Sequence, residues 1–306
     1  MKIRSLAFLF PMLVFPAAAH AELPADVAAG ILAMGAVNDA RTTADVVRPM
    51  HVQTPPRDVT AQRDISFGDH PLQRLDVFSS DPDVGSGKPI VIFVHGGGFT
   101  GGDKHRPGDY SYDNVMIWAV SNGFVGVNTN YRLAPEFPYP NATQDVASAV
   151  RWAREHGAEF GGDPDRIFLW GHSAGASLVG SYLGHPEFHV VEGSGLAGAI
   201  LASGGGYEIT EANEYYADRS RLAEMASLPG LIESDVSLFV MRAELDPPRI
   251  AEASDRLNAA LCAAGKCPAE FLVNPAHNHM SQVYTVNTTE TDISERILDF
   301  LNAHSE

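Results

Sequence analysis

The chain of 306 residues has only two cysteines, Cys262 and Cys267. That excludes a disulfide scaffold and a thiolate-built metal centre. Basic residues are sparse too: 21 Lys and Arg stand against 38 Asp and Glu, a net charge of −17. Such a surface repels nucleic acid and anionic membrane, so neither is expected as a partner. After residue 21 no apolar run reaches the roughly 20 residues needed to span a bilayer. The His-Glu-x-x-His zinc pattern and the G-x-x-x-x-G-K-[ST] phosphate loop are both missing. No metal or organic cofactor is expected, and no internal repeat stands out.

The first 21 residues read as an export signal. Lys2 and Arg4 make a positive start, residues 6–15 form a short apolar core interrupted by Pro11, and Ala19-His20-Ala21 precedes Glu22 as a cleavage site. A lipoprotein signal would need a cysteine there. A periplasmic or secreted protein is expected, with a mature charge near about −19 once Lys2 and Arg4 are gone. In an oxidising compartment Cys262 and Cys267 are a candidate disulfide; two buried free thiols are the alternative.

A composition of 45% hydrophobic residues with 28 Gly and 20 Pro suits one large α/β domain. Residues 22–61 look helical, then irregular and Pro-rich (Pro49, Pro55, Pro56). They form either an N-terminal arm over the active-site face or a packing segment. From residue 62 to 306 strand and helix alternate. Strands are expected at 63–67, 72–78, 89–94, 123–130, 166–170, 197–202, 237–242 and 270–273. The first two alternate apolar and polar, as an antiparallel hairpin does. The later ones are near-continuous apolar runs, which marks a parallel sheet covered by helices on both faces. Asn141 is expected to cap a helix with Gln144 as its capping-box partner. Val146, Ala149, Val150 and Ala153 form that helix's apolar stripe, with Asp145 and Arg151 on other faces. Residues 204–231 interrupt the alternation, with a helix expected at about 214–226. This insertion is either a small lid or a plain surface excursion.

Two glycine motifs carry the chemistry. Gly171-His172-Ser173-Ala174-Gly175 lies between an apolar run and a helical segment. A serine there sits on a sharp strand-to-helix turn, exposed as a nucleophile, with N–H groups of a helix N-terminus beside it. Upstream, His95-Gly96-Gly97-Gly98-Phe99 also breaks an apolar strand. Acyl transfer builds a negative oxygen, and fixed backbone N–H groups stabilise it. The N–H groups of Gly97, Gly98 and Ala174 are assigned to that oxyanion hole, and His95 to ordering the loop. A serine also needs a base, and the base an orienting carboxylate. Asp246, in the turn past the seventh strand, is the first choice for the acid, with Glu244 as alternative. His279 is the choice for the base, because it directly precedes a helix start; His277 competes.

These blocks, with Gly102-Asp103-Lys104, Asn130-Tyr131-Arg132-Leu133-Ala134-Pro135-Glu136 and Gly161-Gly162-Asp163-Pro164-Asp165-Arg166-Ile167, give residues 62–304 a clear likeness. The chain resembles α/β-hydrolase superfamily serine esterases near the hormone-sensitive lipase family. It is most similar to the feruloyl-esterase-like and kynurenine-formamidase-like branch. Relatives of hormone-sensitive lipase usually carry Asp before the serine, where this chain has His172. Their acid usually lies in Asp-Pro-Leu-x-Asp, where this chain has Glu244-Leu245-Asp246-Pro247. The resemblance implies an eight-stranded, mostly parallel α/β-hydrolase fold and a cofactor-free serine carboxylesterase acting on small or aryl esters. Formamide, arylamide or peptide hydrolysis by the same residues is the alternative. A non-catalytic binding module is disfavoured, since every catalytic role has a residue to fill it.

Overall fold

A computed structural model describes residues 22–51, 58–80, 87–106 and 112–305. The expected export signal lies outside them. In chain order the elements are α1 (Ala25–Met34), α2 (Ala40–Val47), β1 (Thr60–Ser66), β2 (Arg74–Ser79), β3 (Lys88–Val94), α3 (Asp113–Ser121), β4 (Val125–Thr129), α4 (Asn141–His156) and β5 (Gly162–His172). Then follow α5 (Ala174–Gly184), β6 (Gly198–Ala202), α6 (Leu222–Met225), α7 (Leu228–Glu233), β7 (Leu238–Leu245), α8 (Pro248–Ala263), β8 (Glu270–Asn278), α9 (Ser281–Tyr284) and α10 (Asp292–Ala303).

All eight expected strands form, and they make one sheet in the order β1-β2-β4-β3-β5-β6-β7-β8. β1 and β2 pair antiparallel, as do β2 and β4. From β4 onward every pairing is parallel. The apolar runs are continuous because alternate side chains enter two different cores. Ile92, Leu169, Leu201 and Val240 face the core shared with α4, α5 and α8. Phe93, Trp170, Ile200 and Met241 face the core shared with α3 and α10. In β2 the polar position of the alternation is also buried. Asp76 there accepts from Arg63 at 2.7 Å and pairs with Lys104 at 2.8 Å, so its charge is matched where water is excluded.

Residues 22–50 pack on the second core. Val27, Ile31, Val47 and Met50 are buried in it, with α1 against β8 and α2 against α9.

Two local expectations fail. Asn141 does not cap α4: it is the helix's first residue, and Pro140 takes the cap position without a side-chain bond. The Asn141 side chain instead donates to Pro138 O at 2.7 Å and accepts from Arg132 Nη1 at 3.0 Å. Arg132 takes the oxygen that the capping box needed. The helix expected at 214–226 shrinks to α6, with α7 beyond it. Tyr207, Tyr215 and Tyr216 are buried, and that spacing fits no helical face. Asn213 Oδ1 accepts from the N–H groups of Tyr215 and Tyr216 at 2.9 and 2.7 Å, a local turn that competes with helix. The root of the excursion is tied to α5, where Ser177 Oγ accepts from Gly205 N and Gly206 N.

Asp145 explains the Asn130–Glu136 block. Its buried carboxylate accepts from Arg132 N at 2.8 Å, Arg132 Nε at 2.9 Å, Arg132 Nη2 at 2.8 Å and Gln73 Nε2 at 2.8 Å. It thereby fastens the strand-end loops to α4. Arg132 is only partly buried and can reach water, so the loss is that of hydrogen bonds to a charged group, about 1.5–3 kcal/mol. Asp145→Ala is therefore expected to lower the urea midpoint by that equivalent, with the slope unchanged. A midpoint like that of the wild type would show that the loop holds without it.

Candidate active site

Ser173 stands between the end of β5 and the start of α5, with φ 57° and ψ −121°. A non-glycine residue reaches this region only where its surroundings enforce it. Here they do: Ser173 N donates to Ala202 O at 2.8 Å, pinning the turn to β6. The flanking glycines are steric necessities. A Cβ on Gly171 would strike the Gly175 carbonyl and the Ala176 backbone, and one on Gly175 would strike Val94 O. The helix thus starts in direct contact with the sheet, and the half-buried Ser173 hydroxyl projects from the turn.

Two loops from the same sheet edge meet it. His279 follows β8, and its Nε2 lies 2.8 Å from Ser173 Oγ. Its Nδ1 lies 2.6 Å from Asp246 Oδ1. Asp246 follows β7, and its other oxygen accepts from Ser203 Oγ at 2.5 Å and from Ala243 N at 2.9 Å. Serine, imidazole and carboxylate form one hydrogen-bonded line, with His279 and Asp246 removed from water. The two competitors lie outside it. Glu244 is exposed and accepts from Ala276 N at 2.7 Å. His277 is buried with Nδ1 3.1 Å from Ser281 Oγ.

The glycine loop after β3 adopts left-handed backbone at Gly97 (φ 122°) and Gly98 (φ 63°). Thr100 N and Gly101 N both donate to Gly97 O, closing a tight turn. Ala174 N–H is the first of α5 and has no carbonyl one turn earlier inside the helix. Gly98, Ser173 and Ala174 line a cavity of about 540 Å³; exposed Gly97 adjoins Gly98. Ser177, Tyr216 and Ile250 build other walls, and the 204–231 excursion supplies Glu208, Ile209 and Glu214 at the mouth. Beneath the loop His95 stacks on Tyr131 with ring centres 4.4 Å apart. Among the described residues no group of three His, Cys, Asp or Glu side chains is arranged to hold a metal ion.

Several supporting residues went unnoticed in the sequence. Ser203 holds Asp246 and is itself held by Gln282 Nε2. His172 Nε2 lies 2.8 Å from the His279 carbonyl. No spacing rule points to Gln282 or His172. Ser203 carried a weak signal, a hydroxyl directly after an apolar strand at the sheet's C-terminal edge.

Proteins similar to this chain in sequence or fold are esterases. The family model BD-FAE matches residues 75–186. Esterase LipQ of Mycobacterium tuberculosis is 30% identical over 295 residues, spanning 87% of this chain and 68% of LipQ. Chlorogenic acid esterase of Aspergillus niger is 35% identical over 166 residues, 50% of this chain and 30% of that protein. Among solved structures, esterase B from Lactobacillus rhamnosis superposes with TM-score 0.70 at 19% identity, covering 91% of this chain and 95% of that one. An arylesterase superposes with TM-score 0.66 at 18% identity, covering 94% and 100%. Fold and relatives together define a carboxylic ester hydrolase. The chain belongs to the α/β-hydrolase esterases of the hormone-sensitive-lipase-like family.

Burial pushes His95 and His277 down from the ordinary 6.5 to about 4. Burial and the neighbouring His279 hold His172 well below its usual range. An unfolded chain binds protons at such imidazoles near about pH 6.5, whereas the folded chain refuses them until about pH 4. Stability contributed by their neutral forms is therefore lost as pH falls through that window. Calorimetric melting at stepped pH is expected to show a falling Tm between about 6.5 and 4. His277→Gln should make that fall shallower; an identical slope would remove His277 from the account.

Proposed function

We propose that this esterase works through a Ser173–His279–Asp246 triad. The single observation that carries the reading is the continuous line from Ser173 Oγ through the His279 ring to Asp246, with contacts of 2.8 and 2.6 Å. His279 Nε2 takes the hydroxyl proton as Ser173 Oγ attacks the ester carbonyl. The carbonyl oxygen becomes an oxyanion, and the N–H groups of Gly97, Gly98 and Ala174 receive it. Collapse of the tetrahedral species expels the alcohol, which takes the proton from His279. Water, deprotonated by the same imidazole, then releases the acid and restores Ser173. Asp246 keeps Nδ1 protonated and the ring oriented throughout. Small or aryl esters suit a cavity of about 540 Å³ walled in part by Phe99 and Tyr216. The excursion at its mouth acts as a small lid.

Ser173→Ala and His279→Ala should each fold normally and lose about 10⁴–10⁶-fold in kcat on short-chain nitrophenyl esters. His277→Ala should cost far less, because the His277 ring lies against Ser281 and not the triad. A phosphonate ester should label the wild type once and leave Ser173→Ala unlabelled. Retained turnover by Ser173→Ala would sink the assignment, and a dead His277→Ala beside an active His279→Ala would reverse the choice of base. A parallel panel of aryl esters and N-formyl amides gives the leaving-group preference.

The protein is proposed to be exported, with cleavage before Glu22, and Cys262 and Cys267 to be bridged. Their Cα atoms are 4.1 Å apart at the C-terminal end of α8, the opposite end of that helix from Asp246. A loop this short adds at most about 2 kcal/mol. Thiol titration of denatured periplasmic protein should find no free thiol. Reduction should lower Tm slightly and leave kcat unchanged. Two titratable thiols would refute the bridge.

A further inference from the structure

We infer that Thr43, in the N-terminal arm, is a positioning residue for His279. The inference rests on the triad reading and assigns the arm a part in it. His279 has no regular element to hold it: β8 ends at Asn278 and α9 starts only at Ser281. The Asn278 side chain braces the short connection. Asn278 Oδ1 accepts from Met280 N at 3.1 Å and from Ser281 N at 2.9 Å, bracketing His279 on its C-terminal side. Ser281 returns the contact, its Oγ accepting from Asn278 N at 2.9 Å.

This clamp works only while the Asn278 amide keeps its orientation. Nothing on β8 or α9 fixes the amide nitrogen. Thr43 does: Asn278 Nδ2 donates to Thr43 Oγ1 at 3.0 Å, across 235 residues of chain. The nearby Met34 sulfur, at 3.9 Å from both Nδ2 and Thr43 Oγ1, is only a weak acceptor. Thr43 and Asn278 are both wholly inaccessible to solvent, so water cannot substitute for the hydroxyl. Thr43 is itself fixed, since α2 is capped by Asp39 and buries Ala44 and Val47 beside it. The His279 carbonyl is held independently by His172. Losing Thr43 Oγ1 therefore loosens the ring's approach to Ser173 without dismantling the turn.

The test is Thr43→Val, which keeps the volume and removes the acceptor. On a nitrophenyl ester kcat should fall about tenfold, with KM within about twofold, because outer-shell contacts of this kind govern alignment and not binding. The phosphonate labelling rate should fall in parallel. Thr43→Ser, which restores the oxygen, should recover most of kcat. A Thr43→Val enzyme with wild-type kcat, whatever its Tm, overturns the inference, as does an equal drop in Thr43→Ser. Should Thr43→Val not fold, Thr43→Ala and Thr43→Ser are compared below their melting ranges. A kcat that follows the hydroxyl supports the role, and equal values overturn it. Failure of the triad reading would look different, as an active Ser173→Ala enzyme.

Discussion

The structure depends on one steric constraint, the contact between the start of α5 and the centre of the sheet. Gly171 and Gly175 let two backbones pass where any Cβ would collide. That approach forces Ser173 into left-handed backbone and aims its hydroxyl away from the sheet. It also sets the first N–H groups of α5 beside the glycine loop that leaves β3. A β3–β5 pairing in register from Ile90–Ile167 to Val94–Gly171 keeps those two loop roots adjacent. Loosening the contact would move the serine hydroxyl and the proposed oxyanion donors apart together.

The Asp246 carboxylate would be costly in a dry site. It is met by the Ser203 hydroxyl, the Ala243 amide and the His279 ring. His279 is constrained from three directions: the carboxylate at one nitrogen, His172 at its carbonyl, and the Asn278 turn at its flank. A second buried carboxylate, Asp145, does comparable work for the opposite loop by gathering Arg132 and Gln73. Precision in the site comes from these carboxylate-centred networks, because the loops themselves have little regular structure.

The excursion between β6 and β7 adapts the common fold to a particular cavity. Buried tyrosines and the short helices α6 and α7 hold it, in place of the one longer helix expected. Its roots are anchored on Ser177, while its exposed glutamates reach the mouth. The N-terminal residues act on the other side of the sheet. They add apolar burial through Ile31 and Val47 and reach β8 through Thr43.

The sequence by itself determined the strands, the two glycine turns and the class of chemistry. Those features are local: an apolar run buries wherever helices cover it, and a glycine turn is imposed by backbone sterics within a few residues. The pairing of residues far apart was decided only by tertiary structure. Asp246 and Glu244 differ by two positions, as do His279 and His277, and local pattern prefers Asp246 and His279 only by their place past a strand and before a helix. Packing of β7 against β8 turns Asp246 toward His279 and leaves Glu244 at the surface. Asn141 looked like a cap until Arg132 took its oxygen. Thr43, Ser203 and Gln282 carry no local signature, because their roles exist only once chain segments distant in sequence have met. A hydrogen bond between such segments depends on the folded register of the whole sheet, which no window of sequence contains.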